Sequence, residues 1–240
     1  VGQPGQEVRE LVAEDEATLT GASIVGDKLI AAYLVDAKTE VRTYTLDGER
    51  VGTVTLPGIG TASGFSGDAD DSETFYSFDS FNRPKTIYRY DSGTGETSLW
   101  AQPKVAFAPD DFTVSQRFYA SKDGTRVPMF VVHKKGVDPK GGAPTLLYGY
   151  GGFNVAMEPG FSTTRLAWLE QGGVFALANL RGGGEYGKAW HEAGRLANKQ
   201  NVFDDFIAAA EYLIAEGITT KEKLAIQGGC NGGLLVGAVV

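Results

Sequence analysis

Residues Leu224-Ala225-Ile226-Gln227-Gly228-Gly229-Cys230-Asn231-Gly232-Gly233-Leu234-Leu235-Val236 decide the fold. A short apolar run leads into G-x-C-x-G at positions 228–232, and a second apolar run follows. Strand, sharp turn and helix in that order make a nucleophile elbow, which holds its central residue at the carboxyl edge of a sheet and the start of a helix. The flanking glycines let strand and helix come very close. The central residue is ordinarily serine, and here it is Cys230. The plainer alternative is a small buried cysteine packed beside glycines. With 33 glycines in 240 residues the pentapeptide alone arises by chance, so the reading rests on the strand before it and the helix after it.

Outward from the elbow, strands alternate with helices as far back as about residue 105. Val202 to Glu216 carries Phe203, Phe206, Ile207, Ala210, Leu213 and Ile214 at helical spacing. Asp204 and Asp205 fall off that stripe and read as first-turn charges favoured by the helix dipole. Gly217 ends the helix. Thr145-Leu146-Leu147-Tyr148 and Val174-Phe175-Ala176-Leu177-Ala178 read as buried parallel strands, with a helical stretch near Thr163 to Gln171 between them. Gln116–Ala120 and Val127–Val132 flank Lys122-Asp123-Gly124 as a hairpin. This alternation predicts an α/β-hydrolase, with a doubly wound, mostly parallel sheet, over residues 106–240.

Residues 1–105 keep a different rhythm. Lys28–Val35, Glu40–Leu46 and Val51–Leu56 are β-type runs, with Asp47-Gly48 as a turn between the last two. The rhythm returns as Glu73–Phe78, Lys85–Tyr90 and Glu96–Trp100, about 45 residues on, the period of a four-stranded propeller blade. A plain antiparallel meander fits the same pattern. The boundary falls between Trp100 and Pro109, where Pro103 and Pro109 both mark breaks. Asp68-Ala69-Asp70-Asp71 reads as a solvated turn, since it lacks the alternating ligands and closing Glu of a calcium loop.

The formal net charge of −8, with Lys and Arg scattered, argues against a nucleic-acid surface. No apolar run approaches a membrane span. One Cys with two separated histidines, His133 and His191, gives no basis for a zinc site, and no metal or other cofactor is expected. The opening residues, Val1 to Glu10, show no basic and apolar pattern of a signal peptide, although the chain does not begin with Met.

Two further segments are rich in glycine. Tyr148-Gly149-Tyr150-Gly151-Gly152-Phe153-Asn154 stands where hydrolases of this kind carry an oxyanion loop. The Asn231 N–H, just after the nucleophile, supplies one donor, and a tyrosine hydroxyl from this loop can supply another. The alternative is a glycine turn with two core tyrosines, and the elbow favours the functional reading. Arg181-Gly182-Gly183-Gly184-Glu185-Tyr186-Gly187 matches neither a dinucleotide nor a Walker fingerprint, and its Arg and Glu read as loop braces.

Together these segments resemble the prolyl oligopeptidase family of serine peptidases. The resemblance is carried by Leu147–Asn154, Ala178–Gly187, Leu196-Ala197-Asn198-Lys199-Gln200-Asn201, Phe203-Asp204-Asp205-Phe206 and Gly228–Leu235, in order and over essentially all of 115–240. It implies that residues 1–105 are the last blades of a β-propeller acting as a size filter. It implies hydrolysis of short peptides on the carboxyl side of proline, by a cytoplasmic monomer or, alternatively, a periplasmic one. By position, Cys230 stands for the nucleophilic serine, Tyr150 for the oxyanion tyrosine beside the Asn231 N–H, and Phe153 for an aromatic wall of the proline pocket.

Two departures stand out. Cys replaces Ser at the nucleophile, and a site shaped for oxygen loses peptidase activity with the larger sulfur. An engineered, inactivating substitution is the preferred explanation. A cysteine-nucleophile hydrolase similar to dienelactone hydrolases, or an inactive propeller-hydrolase scaffold, is the alternative. No Asp, Glu or His follows Cys230, so the resemblance puts the triad's acid and base outside this stretch, which reads as an interior piece of a longer enzyme.

Overall fold

The computed structural model describes residue 5, residues 7–138 and residues 140–240; residues 1–4 and 6, part of the opening stretch read above for a signal peptide, lie outside them. Two antiparallel four-stranded sheets come first. The first holds β1 (Thr18–Val25), β2 (Lys28–Val35), β3 (Lys38–Thr45) and β4 (Arg50–Thr53), in that spatial order. The second repeats it with β5 (Thr61–Gly64), β6 (Glu73–Ser80), β7 (Arg83–Asp91) and β8 (Thr97–Ala101). Lys28 and Lys38 open β2 and β3, and Glu73 and Arg83 open β6 and β7, so the 45-residue offset is kept by the two central strands of each sheet. Each repeat is one complete up-and-down sheet of four strands, as a propeller blade is. β1 and β5 are strands that the sequence reading did not include.

Strand β6 alternates buried and open positions, the signature of a sheet with one packed face. Tyr76 and Phe78 point from it into the space between the sheets, where Phe65 stacks on Tyr76 at 4.6 Å between ring centres. At the other end of the blades, the β2–β3 turn is Asp36-Ala37, both at positive φ (49° and 63°), the geometry of a tight type I′ hairpin. Its counterpart after β6 is Phe81-Asn82.

Both hairpins dock on the third sheet. That sheet contains β9 (Phe112–Ala120), β10 (Arg126–Lys134), β11 (Thr145–Tyr148), β12 (Val174–Ala178) and β13 (Leu224–Gln227), in the order β13-β11-β12-β10-β9. β11 runs parallel to both β12 and β13, while β10 is antiparallel to β12 and β9. The parallel part of the sheet therefore starts at β12 and extends toward the elbow. β12 is buried at all five positions, as a central strand covered on both faces must be. Ala37 and Phe81, both buried, enter an apolar cluster with Phe130, Phe175, Leu169 and Leu177. Polar links reinforce the junction: Gln116 Nε2 donates to the Asp36 carbonyl at 2.5 Å, Tyr186 Oη donates to Asp36 Oδ1 at 2.6 Å, and Thr61 Oγ1 donates to the Pro159 carbonyl at 2.7 Å.

Helices α1 (Thr163–Glu170), α2 (Gly187–Glu192), α3 (Gln200–Ala215) and α4 (Asn231–Val239) follow the strands. The sequence reading of α3 needs correction. The helix begins at Gln200, so Asp204 and Asp205 lie in its second turn, not its first. Its packed face is Val202, Asp205, Phe206, Ala209 and Leu213, whereas Ile207 and Ile214 are about two-fifths exposed. The stripe is rotated because Asp205 occupies an inward position that an ion pair makes tolerable.

Candidate active site

The elbow forms as its sequence implies. β13 ends at Gln227 and α4 begins at Asn231, with Cys230 at φ 54° and ψ −113° between them. A non-glycine residue at positive φ is strained by about 1–3 kcal/mol and persists only where its surroundings dictate it. Here the glycines do so. A Cβ on Gly228 would stand 2.4 Å from the Gly232 carbonyl oxygen, and one on Gly232 would stand 2.7 Å from the Gly149 carbonyl oxygen. No side chain fits between strand, helix and the Gly149 loop, and Cys230 is thrust outward and exposed. Within these residues the thiol is not a buried filler.

As first residue of α4, Asn231 has an N–H with no partner inside the helix. It lies beside Cys230 at the positive end of the helix dipole. Tyr150 comes to the same place from the loop after β11. Its phenol is pushed above its ordinary value first by partial desolvation, then by hydrogen-bonding and charge interactions with the Cys230 side chain. The Tyr150 loop and the elbow also meet through the backbone, where Gly232 packs against the Gly149 carbonyl.

Three hydrogen bonds fix the Tyr150 loop to the elbow. Asn231 Nδ2 donates to the Tyr150 carbonyl at 2.6 Å, while Lys199 Nζ donates to the Gly151 carbonyl at 2.9 Å and to Asn231 Oδ1 at 3.1 Å. Burial lowers the Lys199 ammonium below its ordinary value. Lys199 stood in the sequence only as part of a matching string. No local pattern discloses that its ammonium reaches 48 residues back to Gly151.

Phe153 is 73% exposed and, like Asn154, holds positive φ (54° and 57°). It borders a cavity of about 460 Å³ together with His191, Leu196, Lys199 and Asn231. Asn231 is thus shared between this apolar hollow and the elbow. Neither histidine serves Cys230: His133 Nδ1 lies 3.0 Å from the Lys134 carbonyl, and His191 Nδ1 lies 2.7 Å from the Gly182 carbonyl.

Arg181 braces this site from behind. Its Nε and Nη2 donate to Asp205 at 2.7–3.1 Å, and its Nη1 donates to Asp123 Oδ2 at 2.6 Å. The Arg181 backbone N–H also donates to Asp205 Oδ2, at 3.0 Å. Asp205, read from sequence as a surface helix charge, is fully buried in this clamp. Gly182, next to Arg181, packs so closely on the Gly151 carbonyl that a Cβ there would lie 2.7 Å from its oxygen. The clamp therefore sets the height of the Tyr150 loop.

An exposed thiol at a helix N-terminus, with the first-turn amide beside it and a tyrosine loop tied to the same helix, is an arrangement whose chemistry suits attack on a carbonyl. Known proteins resemble the chain that builds it. Residues 159–240 match the model of the prolyl oligopeptidase family, and residues 1–103 match the model of the prolyl oligopeptidase N-terminal beta-propeller domain. The chain belongs to the prolyl oligopeptidase family. Over 232 residues it is 45% identical to a prolyl endopeptidase of Elizabethkingia meningoseptica, covering 97% of this chain and 33% of the relative. Over 238 residues it is 42% identical to a prolyl endopeptidase of Dictyostelium discoideum, covering 97% and 31%. Among solved structures, a prolyl endopeptidase with 58% identity superposes with a TM-score of 0.89 over 96% of this chain and 34% of its own. Prolyl oligopeptidase B from Galerina marginata, bound to a 25mer macrocyclization substrate, superposes at 0.91 with 37% identity, over 99% and 34%. The chain thus spans about a third of the length of these relatives, and its fold is a part of the family's β-propeller joined to a part of its α/β-hydrolase.

Proposed function

We propose that the full-length protein carrying this chain is a peptidase that hydrolyses short peptides on the carboxyl side of proline. Residues 1–105 are blades of its propeller, and residues 106–240 are the part of its catalytic domain that holds the nucleophile position. Residue 230 attacks the carbonyl carbon of the proline residue. The Asn231 N–H and the Tyr150 hydroxyl receive the negative charge that develops on the carbonyl oxygen, and Phe153 forms one apolar wall for the proline ring. The observation that carries this reading is the positive-φ elbow at Cys230 with the Tyr150 loop hydrogen-bonded to it through Asn231. The names of the relatives supply the bond cleaved.

Cys230 stands where the family mechanism uses a serine, and its larger sulfur, a better leaving group than an alkoxide, lowers peptidase turnover. The test is a pair of full-length proteins, one with Cys230 and one with Cys230→Ser, assayed on a peptide with a chromogenic leaving group after proline. Turnover by the Cys230→Ser protein well above that of the unsubstituted one supports the reading. Faster hydrolysis by the unsubstituted protein would favour a true cysteine hydrolase, and no turnover by either would favour an inactive scaffold.

A further inference from the structure

Glu185 lies in the glycine-rich loop after β12 and is only 1% exposed. Its Oε1 accepts from the Met157 N–H at 2.9 Å and from Asn179 Nδ2 at 3.4 Å. Asn179 Nδ2 also donates to the Met157 carbonyl at 2.6 Å, which fixes the orientation of the amide, because the flipped form would set oxygen against oxygen. Two acceptors are left over: Glu185 Oε2 and Asn179 Oδ1 are both buried with no partner among the described residues. The cluster is closely packed, since a Cβ on Gly183 would stand 2.2 Å from Oε2.

The charged groups nearby offer no remedy for an anion. Glu158 adds repulsion, and Tyr186 is a phenol already donating to Asp36. Arg181, four residues back, is committed to Asp205 and Asp123, and His191 Nδ1 lies against the Gly182 carbonyl. A buried carboxylate without a cation is the costliest arrangement available, whereas a neutral acid carries the one donor that the two stranded acceptors need. Burial pushes the Glu185 carboxyl up to about 7, helped by Glu158 and opposed by the bonds from Met157 and Asn179.

We propose that Glu185 is a positioning residue kept as a neutral acid, whose Oε2–H donates to Asn179 Oδ1 and clamps the 154–157 segment, and with it Phe153, against the glycine-rich loop. Phe153 is mostly exposed, so its own packing does little to hold it. Its neighbours do: Asn154 N–H donates to the Gly182 carbonyl at 3.1 Å, and Met157 is bound through both its N–H and its carbonyl. Above pH 7 the proton leaves, the cluster holds an uncompensated anion, and the segment loosens. The acid is raised in the folded state above its usual 4.5, so the folded chain holds the extra proton between about 4.5 and 7. Stability falls as pH rises through that window. The consequence for substrate rests on the reading of Phe153 as a proline-pocket wall; the protonation does not.

The test begins with infrared difference spectra of the full-length protein against its Glu185→Gln variant, both in a Glu158→Gln background, which removes the other glutamate raised by burial. A protonated-carboxyl C=O band persisting at pH 6 and vanishing with a midpoint near 7 is expected, and its absence at pH 6 overturns the proposal. In the same Glu158→Gln background, Glu185→Gln, whose amide N–H replaces the acid O–H, is expected to fold and to remove most of the loss of stability between about pH 5 and 7. A Glu185→Gln chain that is unfolded at every pH overturns it. Hydrogen exchange at the Met157 amide, corrected for intrinsic rate, is expected to speed up at least about tenfold from pH 6 to 8 in the unsubstituted chain and not in Glu185→Gln. Equal behaviour in both removes the clamp. None of these readouts depends on peptidase activity, so they stand apart from the functional reading above.

Discussion

Replacing Asp205 by Ala separates the buried clamp from an ordinary surface ion pair. The Asp205 carboxylate is wholly buried and receives Arg181 Nε, Arg181 Nη2 and the Arg181 backbone N–H. Without it, the backbone N–H and Nε lose their partners in a site only 5% exposed, while Nη1 keeps Asp123. Each stranded buried donor costs about 1–3 kcal/mol, and breaking a buried ion pair costs about 3–5 kcal/mol. Asp123 retains part of the compensation, so a loss of about 3 kcal/mol is expected. With a urea m-value of about 3 kcal/mol/M, this is a midpoint shift of about 1 M. Asp123→Ala should cost about 1 kcal/mol or less, because that carboxylate is half exposed and screened by water. The Arg181 guanidinium holds the Asp123 carboxyl well below the usual carboxylate range. Its contribution is therefore complete above about pH 4 and is lost as pH falls further. Urea unfolding of both variants at pH 7, followed by fluorescence and far-UV circular dichroism, measures the contrast. A loss under about 1 kcal/mol for Asp205→Ala at unchanged m would refute the claim that Arg181 depends on this partner.

Gly228→Ala forces a methyl to within 2.4 Å of a backbone oxygen and should destabilise the chain by about 1–3 kcal/mol. Gly233→Ala, in α4 with open space around it, should stabilise by about 0.5–1 kcal/mol; the same unfolding assay reads both. Phe81→Ala removes a ring packed 5.5 Å from Phe130 and 5.9 Å from Phe175, and should cost about 3–5 kcal/mol, measured by the unfolding midpoint. Lys199→Met removes a charge-assisted link worth about 1.5–3 kcal/mol. Combined with Cys230→Ser in the full-length protein, it should lower kcat about tenfold or more with little change in KM; a rise in KM alone would contradict the role given to the Tyr150 loop.

Some of this was legible in the chain because the signals are local. The elbow is written in consecutive residues, 224–236, and Gly228 is there for a contact within that unit, although Gly232 also makes room for the Gly149 carbonyl. The 45-residue offset shows because β2, β3, β6 and β7 carry apolar and aromatic side chains in regular places. β1 and β5 escaped because Thr18–Val25 and Thr61–Gly64 are largely small or polar, and β1 is open along most of its length. Strands without a packed apolar face leave no alternation to read. The roles of Asp205 and Lys199 escaped for another reason. Helical spacing puts Asp205 on a face but does not reveal that Arg181, 24 residues earlier, is waiting there. Glu185 was read as a brace, and its burial agrees. Its stranded oxygen appears only once Asn179 and Met157 are brought around it by the fold.

The most direct test of the central claim is a product map. The full-length protein with Cys230→Ser is incubated with a peptide of about twenty residues containing one internal proline, and the fragments are weighed by mass spectrometry. The account predicts a single cut on the carboxyl side of that proline, lost in a Cys230→Ala protein and strongly slowed by Tyr150→Phe, whose missing hydroxyl removes an oxyanion donor worth roughly 3 kcal/mol in the barrier. Cutting elsewhere in the peptide, or cutting that persists in Cys230→Ala, would contradict it.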